Sequence, residues 1–84
     1  MIAGNSSITL PVQGRYNVIM YQNLSSGSFK HWGMVTTHAD AIGVRIQQIE
    51  QQLDFGTNNG VVTVYNLTSI GQNYQFRIFH MGFD

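Results

Sequence analysis

Three histidines, His31, His38 and His80, and four carboxylates, Asp40, Glu50, Asp54 and Asp84, are the side chains best able to do chemistry in this chain. The tightest grouping is His38 with Asp40, two residues apart, completed by His80 or Asp84 from the C-terminal end. Two imidazoles and a carboxylate are a zinc-type donor set. Residues two apart on a helix do not share a face, so both could reach one ion only from a loop. The spacing therefore predicts neither a metal site nor a cofactor.

Nucleophilic chemistry fares no better. There is no cysteine, which removes thiolate nucleophiles, cysteine-ligated zinc and iron–sulfur clusters. The serines fall in turn-like contexts such as Ser25-Ser26-Gly27, and none stands in a G-x-S-x-G elbow. Paired carboxylates for glycoside chemistry would need two of the four acids in one cleft. Phosphate-cradling glycine motifs are absent. No catalytic residue is assigned, and the expectation is a protein that is not an enzyme.

Charge narrows the partners. The 84 residues are 43% hydrophobic but only 10% charged, where roughly 25% is usual. Arg15, Lys30, Arg45 and Arg77 balance the four acids, with no block of like charge. Such a surface does not steer a chain to nucleic acid or to an anionic membrane. Zero net charge also removes the self-repulsion that keeps small proteins apart. Residues 1–7 show neither a basic start nor a long apolar run, which predicts no secretory signal and a cytoplasmic protein, in a host cell or virion if viral. No apolar stretch approaches the roughly 20 residues of a membrane span.

The elements that would position any site come next. Residues 1–84 make one domain, with 1–14 as an N-terminal arm or edge strand, since Pro11 removes a backbone donor and Gly14 separates it from the next strand. Residues 16–22 and 28–36 read as a hairpin turning at Ser25-Ser26-Gly27. Ile42, Ile46, Ile49 and Leu53 then fall at i, i+4, i+7 and i+11, one stripe of a helix over 38–53. Thr37 would cap it, and Gly43 would let it approach a sheet closely. Its outer face would carry the amides of Gln47, Gln48, Gln51 and Gln52. Asn59-Gly60 is a turn signal, and 61–67 with 74–81 would form a second hairpin. The predicted fold is α+β: a two-layer ββαββ sandwich, one helix on one face of an antiparallel sheet of four to five strands.

These strands alternate poorly. Apolar side chains occupy both faces, and one helix covers only one. The uncovered face is predicted to hold Ile19, Tyr21, Trp32, Met34, Phe79 and Met81, with Arg77 and Lys30 among them. Aromatic and methionine side chains with little charge suit an interface between proteins. The expected function is a protein–protein interaction or assembly module, homo-oligomeric and structural, of the kind found in a virus or phage particle. The alternatives are a phage-type anti-defence inhibitor docking on a host protein, or an oligomer binding a small molecule beside Trp32 and Arg77.

Overall fold

The computed structural model describes residues 1–12, 14–25, 32–47, 52–58 and 60–83. Its strands in chain order are β1 (Ser7–Leu10), β2 (Tyr16–Asn23), β3 (Trp32–His38), β4 (Ala41–Gln47), β5 (Leu53–Asn58), β6 (Val61–Asn66) and β7 (Tyr74–His80). They form two antiparallel sheets, one ordered β1-β6-β5 and the other β4-β3-β2-β7. The α+β expectation is overturned, since the described residues contain no helix and the fold is all-β.

The segment read as a helix shows why. His38 ends β3, Ala41–Gln47 is β4, and Leu53 opens β5, while Gln48, Ile49 and Gln51 lie outside the described residues. Ile42, Val44 and Ile46 are β-branched, with a glycine among them, a composition that favours a pleated strand over a helix. A β-bulge completes the disguise. Ile42 stands opposite Thr37 and Arg45 opposite Val35, so β4 carries one residue more than β3 between these pairs. The extra residue flips the phase: Ile42 packs on the core, whereas Val44 and Ile46 are exposed. Broken alternation of this kind imitates a helical stripe.

The second predicted hairpin also fails to form. β6 pairs with β1 and β5 in the three-stranded sheet, and β7 pairs with β2 in the other. Residues 67–73 carry the chain from one sheet to the other.

The core lies between the sheets. Leu10, Leu53, Phe55, Val62 and Val64 come from the three-stranded sheet, and Ile19, Tyr21 and Val35 from the four-stranded one. Ile78 and Phe76 of β7 extend it, standing opposite Ile19 and Tyr21. The Tyr21 and Phe55 rings meet across the gap with centroids 5.4 Å apart. Each such fully buried side chain contributes about 1.5–3 kcal/mol. Arg45 of β4 adds a clasp, its guanidinium donating to Asp54 of β5 at 3.0 Å.

Three buried asparagines brace the ends of this layer. Asn17 donates to Thr37 Oγ1 at 3.2 Å, across the β2–β3 ladder. The Asn23 amide donates to Gln52 Oε1 and Gln72 Oε1, each at 3.1 Å, and its Oδ1 accepts the Ser25 N–H at 2.7 Å. Asn66 donates to the carbonyls of Ile2 and Ile70 and accepts from Thr68. Buried amides need partners on both of their ends. Asn23 and Asn66 have them, in directions that fix loops to strands. Asn17 is bonded through its nitrogen, whereas its Oδ1 meets no donor among the described residues. The Gln-rich surface expected on a helix is therefore partly internal: Gln52 is a hydrogen-bonding partner of Asn23, and Gln47 lies against the Tyr21 hydroxyl.

Candidate functional site: the outer face of the four-stranded sheet

Strand residues alternate between faces, so the outward set of the four-stranded sheet follows from its registers. Trp32, Gln22 and Gln75 form one row across β3, β2 and β7. Ile46, Met34, Met20 and Arg77 form the next, across all four strands. Thr36, Val18 and Phe79 form a third, and His38 stands opposite Tyr16 beyond it. Nothing among the described residues covers the middle of these rows. Met20 is 43% exposed, Ile46 44% and Phe79 54%, values of a surface even though β2 and β3 are central strands.

Local packing holds this face in place from beneath and beside. Gly33 stands opposite Tyr21, and the phenol ring lies across it on the core side, so a methyl group on Gly33 would overlap the ring. At the far end the His38 ring occupies the space above Gly43 and meets Thr36 Oγ1 at 3.0 Å. The same hydroxyl oxygen accepts the Val44 N–H at 2.7 Å, giving a partner to an amide at the bulge. Tyr16 packs edge-on against both His38 and Phe83, with centroids 5.8 Å apart in each pair. One end of the face is thus an aromatic cluster, while the other is open among the described residues.

That open end holds a groove of about 320 Å³. Met20, Gln22, Trp32, Gln75 and Arg77 surround it, with Tyr21 and Gly33 beneath. Arg77 makes no ion pair among the described residues. The groove therefore combines an indole, a thioether, two neutral amides and a guanidinium.

The structure sorts the residues expected at an interface into two groups. Trp32, Met34, Arg77 and Phe79 share the outer face, and Met81 continues it, its N–H donating to the Tyr16 carbonyl at 2.8 Å. Ile19 and Tyr21 are core residues, opposite Val35 and Gly33. Lys30 lies outside the described residues. Sequence reading missed Met20, Ile46, Gln22 and Gln75. The alternation of 16–22 places Met20 opposite in phase to Ile19, but only the β2–β3 register reveals which phase joins Trp32 and Met34.

The histidines are dispersed. His38 lies on the outer face of β3, while His80 ends β7 opposite the buried Asn17, in the phase of the inner face. Among the described residues no three histidines or carboxylates gather as metal ligands would. His31 and Asp84 are outside those residues. Two tyrosines have their ionisation displaced. Burial raises the Tyr21 pKa above the ordinary tyrosine value, against smaller lowering by Gln47 and Arg45. Burial also raises that of Tyr74, opposed by Asn23 and reinforced by Tyr21. Both belong to the core and the braces, not to an exposed reaction centre.

Among the described residues no helix is long and apolar enough to cross a membrane. No protein-family model, no characterised protein and no solved structure matches this chain.

Proposed function

We propose that this chain is a non-enzymatic assembly module that meets further copies of itself through the outer face of its four-stranded sheet. The observation that carries the reading is the uncovered row Ile46–Met34–Met20, flanked by Phe79. Scattered exposed apolar residues are ordinary, but a contiguous set across adjacent strands resembles the centre of a protein interface. The zero net charge supports the choice of a second copy, because identical chains then approach without long-range repulsion. Low charge also suits a structural component that is closely surrounded by its own kind.

Light scattering coupled to size exclusion, over a range of concentration, tests the reading on the intact chain and on Met34→Asp. A defined oligomer that the substitution dissolves supports it. A monomer at every concentration overturns self-assembly and leaves the face to a different protein, as an inhibitor docking on a host target would use it.

A further inference from the structure

We propose that the groove beside Trp32 is a binding site for an acidic saccharide. This inference does not rest on the assembly reading: the groove shares Met20 with the apolar row, but the groups argued from are Trp32, Gln22, Gln75 and Arg77 at the rim of the face.

The argument starts from the row Trp32–Gln22–Gln75. Adjacent strands lie about 4.8 Å apart, so the Trp32 and Gln75 backbones are separated by about 10 Å with Gln22 between them. All three border one groove, and Arg77 enters it from the next row on the same strand as Gln75. Its volume of about 320 Å³ falls at the lower end of the range for small-molecule sites.

Each lining group selects the same ligand chemistry. Trp32 is 39% exposed despite the cost of an indole in water, and no described aromatic side chain stacks on it. An indole face carries the negative lobe of its quadrupole. The C–H bonds on one side of a pyranose ring present the matching positive surface. A glutamine side chain offers both donors and an acceptor, which suits vicinal hydroxyl groups, each a donor and an acceptor itself. Gln22 and Gln75 supply two such amides on one side of the indole. A neutral sugar would need nothing more. Arg77 adds a planar cation whose paired N–H groups match a carboxylate. With no ion pair among the described residues, that guanidinium is available to a ligand anion. A flat polyol bearing one carboxylate uses the indole, both amides and the guanidinium together, whereas a simple carboxylate would leave the indole bare.

Methyl galacturonoside and its methyl ester form the test pair, because they differ by one charge and little in shape. The probe is titrated into uniformly labelled protein while amide and indole resonances are followed; Trp32 supplies the single indole N–H. The expected result is a saturable shift of the Trp32 indole and of the Gln22 and Gln75 side-chain amides, with the acid binding about tenfold more tightly than the ester. Trp32→Ala should weaken both by tenfold or more, and Gln75→Ala by severalfold. Arg77→Gln should abolish the preference for the acid while leaving ester binding unchanged. Val61→Ser, an exposed position on the other sheet, is the control that should bind as the parent does. Dispersed amide spectra verify that each variant is folded, and Gln75→Ala serves if Trp32→Ala is not. Equal affinity for acid and ester would overturn the acidic assignment. Absence of a saturable shift with either probe, or shifts unchanged by both Trp32→Ala and Gln75→Ala, would overturn the saccharide site.

Discussion

The side-chain amide of Asn66, at the end of β6, donates to the backbone carbonyl of Ile2 at 2.9 Å, joining positions 64 residues apart. The same nitrogen reaches Ile70, and Thr68 returns two hydrogen bonds to Asn66 Oδ1. Ile2 is itself buried and bridges Gln72. One amide therefore fastens the N-terminal segment and the β6–β7 connection to the same strand end. Asn66→Ala should cost about 2–3 kcal/mol, because several buried hydrogen bonds lose a partner at once. Asn66→Asp should cost at least as much: it keeps the acceptor that Thr68 needs but turns a carboxylate oxygen toward the carbonyls. Urea unfolding at neutral pH measures both, and an aspartate variant as stable as the parent would refute the role of the amide as donor.

The β3–β4 hairpin turns through Ala39, whose φ is +52°. Its N–H donates to the Arg15 carbonyl at 2.9 Å, so the turn is anchored from outside as well. Left-handed backbone costs an alanine about 1 kcal/mol or more that a glycine does not incur. Ala39→Gly also enlarges the conformational freedom of the unfolded chain, which offsets part of the gain. The net expectation is stabilisation by about 0.5–1 kcal/mol, seen as a higher urea midpoint with an unchanged slope. Destabilisation would mean that the alanine methyl contributes packing of its own.

How much of this was legible in the sequence varies by element. β2 and β3 announce themselves through β-branched and aromatic runs on either side of the stretch Ser25-Ser26-Gly27, whose last two residues lie outside the described residues. β4 does not, because its bulge breaks the period-two pattern at the one place where four-residue spacing favours a helix. Pairing partners are legible only for neighbours in sequence. That β7 joins β2, and not β6, is a long-range choice made by the core, where Ile78 and Phe76 complete the layer begun by Ile19 and Tyr21. The candidate face suffered the same limit. Trp32, Met34, Arg77 and Phe79 were nameable from residue type, yet Ile19 and Tyr21 were placed with them by a one-residue error of phase, which moves a side chain through the sheet. Composition misled in a different way. Richness in Asn and Gln reads as a solvated surface, whereas Asn17, Asn23 and Asn66 are buried braces.

The tyrosines give the fold an alkaline limit. The pKa of Tyr21 and that of Tyr74 are raised in the folded state, chiefly by burial. The unfolded chain then releases these protons at lower pH than the folded one does. The stabilisation from keeping both phenols neutral is full below the ordinary tyrosine value of about 10 and declines as pH rises through the higher folded values. Unfolding free energy should therefore fall once pH rises past the ordinary tyrosine value of about 10. Tyr21→Phe combined with Tyr74→Phe should flatten that fall, at the cost of the hydrogen bonds around Asn23. An unchanged slope in the double variant would assign the alkaline loss to other groups.

Gly33 links the core to the candidate groove, since it lines the groove and faces the Tyr21 ring on the opposite side. A Cβ there would overlap the phenol and would also lie 2.6 Å from the Ile46 carbonyl oxygen in the neighbouring strand. A ring can turn aside, but a hydrogen-bonded strand moves only by disturbing its ladder. Gly33→Ala should thus cost about 1–3 kcal/mol, the range for overpacking a filled site. Tyr21→Phe removes the hydroxyl from the crowded region while leaving the ring and the Ile46 carbonyl. Combined, the two substitutions should cost less than their separate effects added together, because neighbours sharing one space are not additive. A double-mutant cycle by urea unfolding reads this coupling directly. Strict additivity would show that the backbone of β4, not the tyrosine, makes glycine necessary at this position.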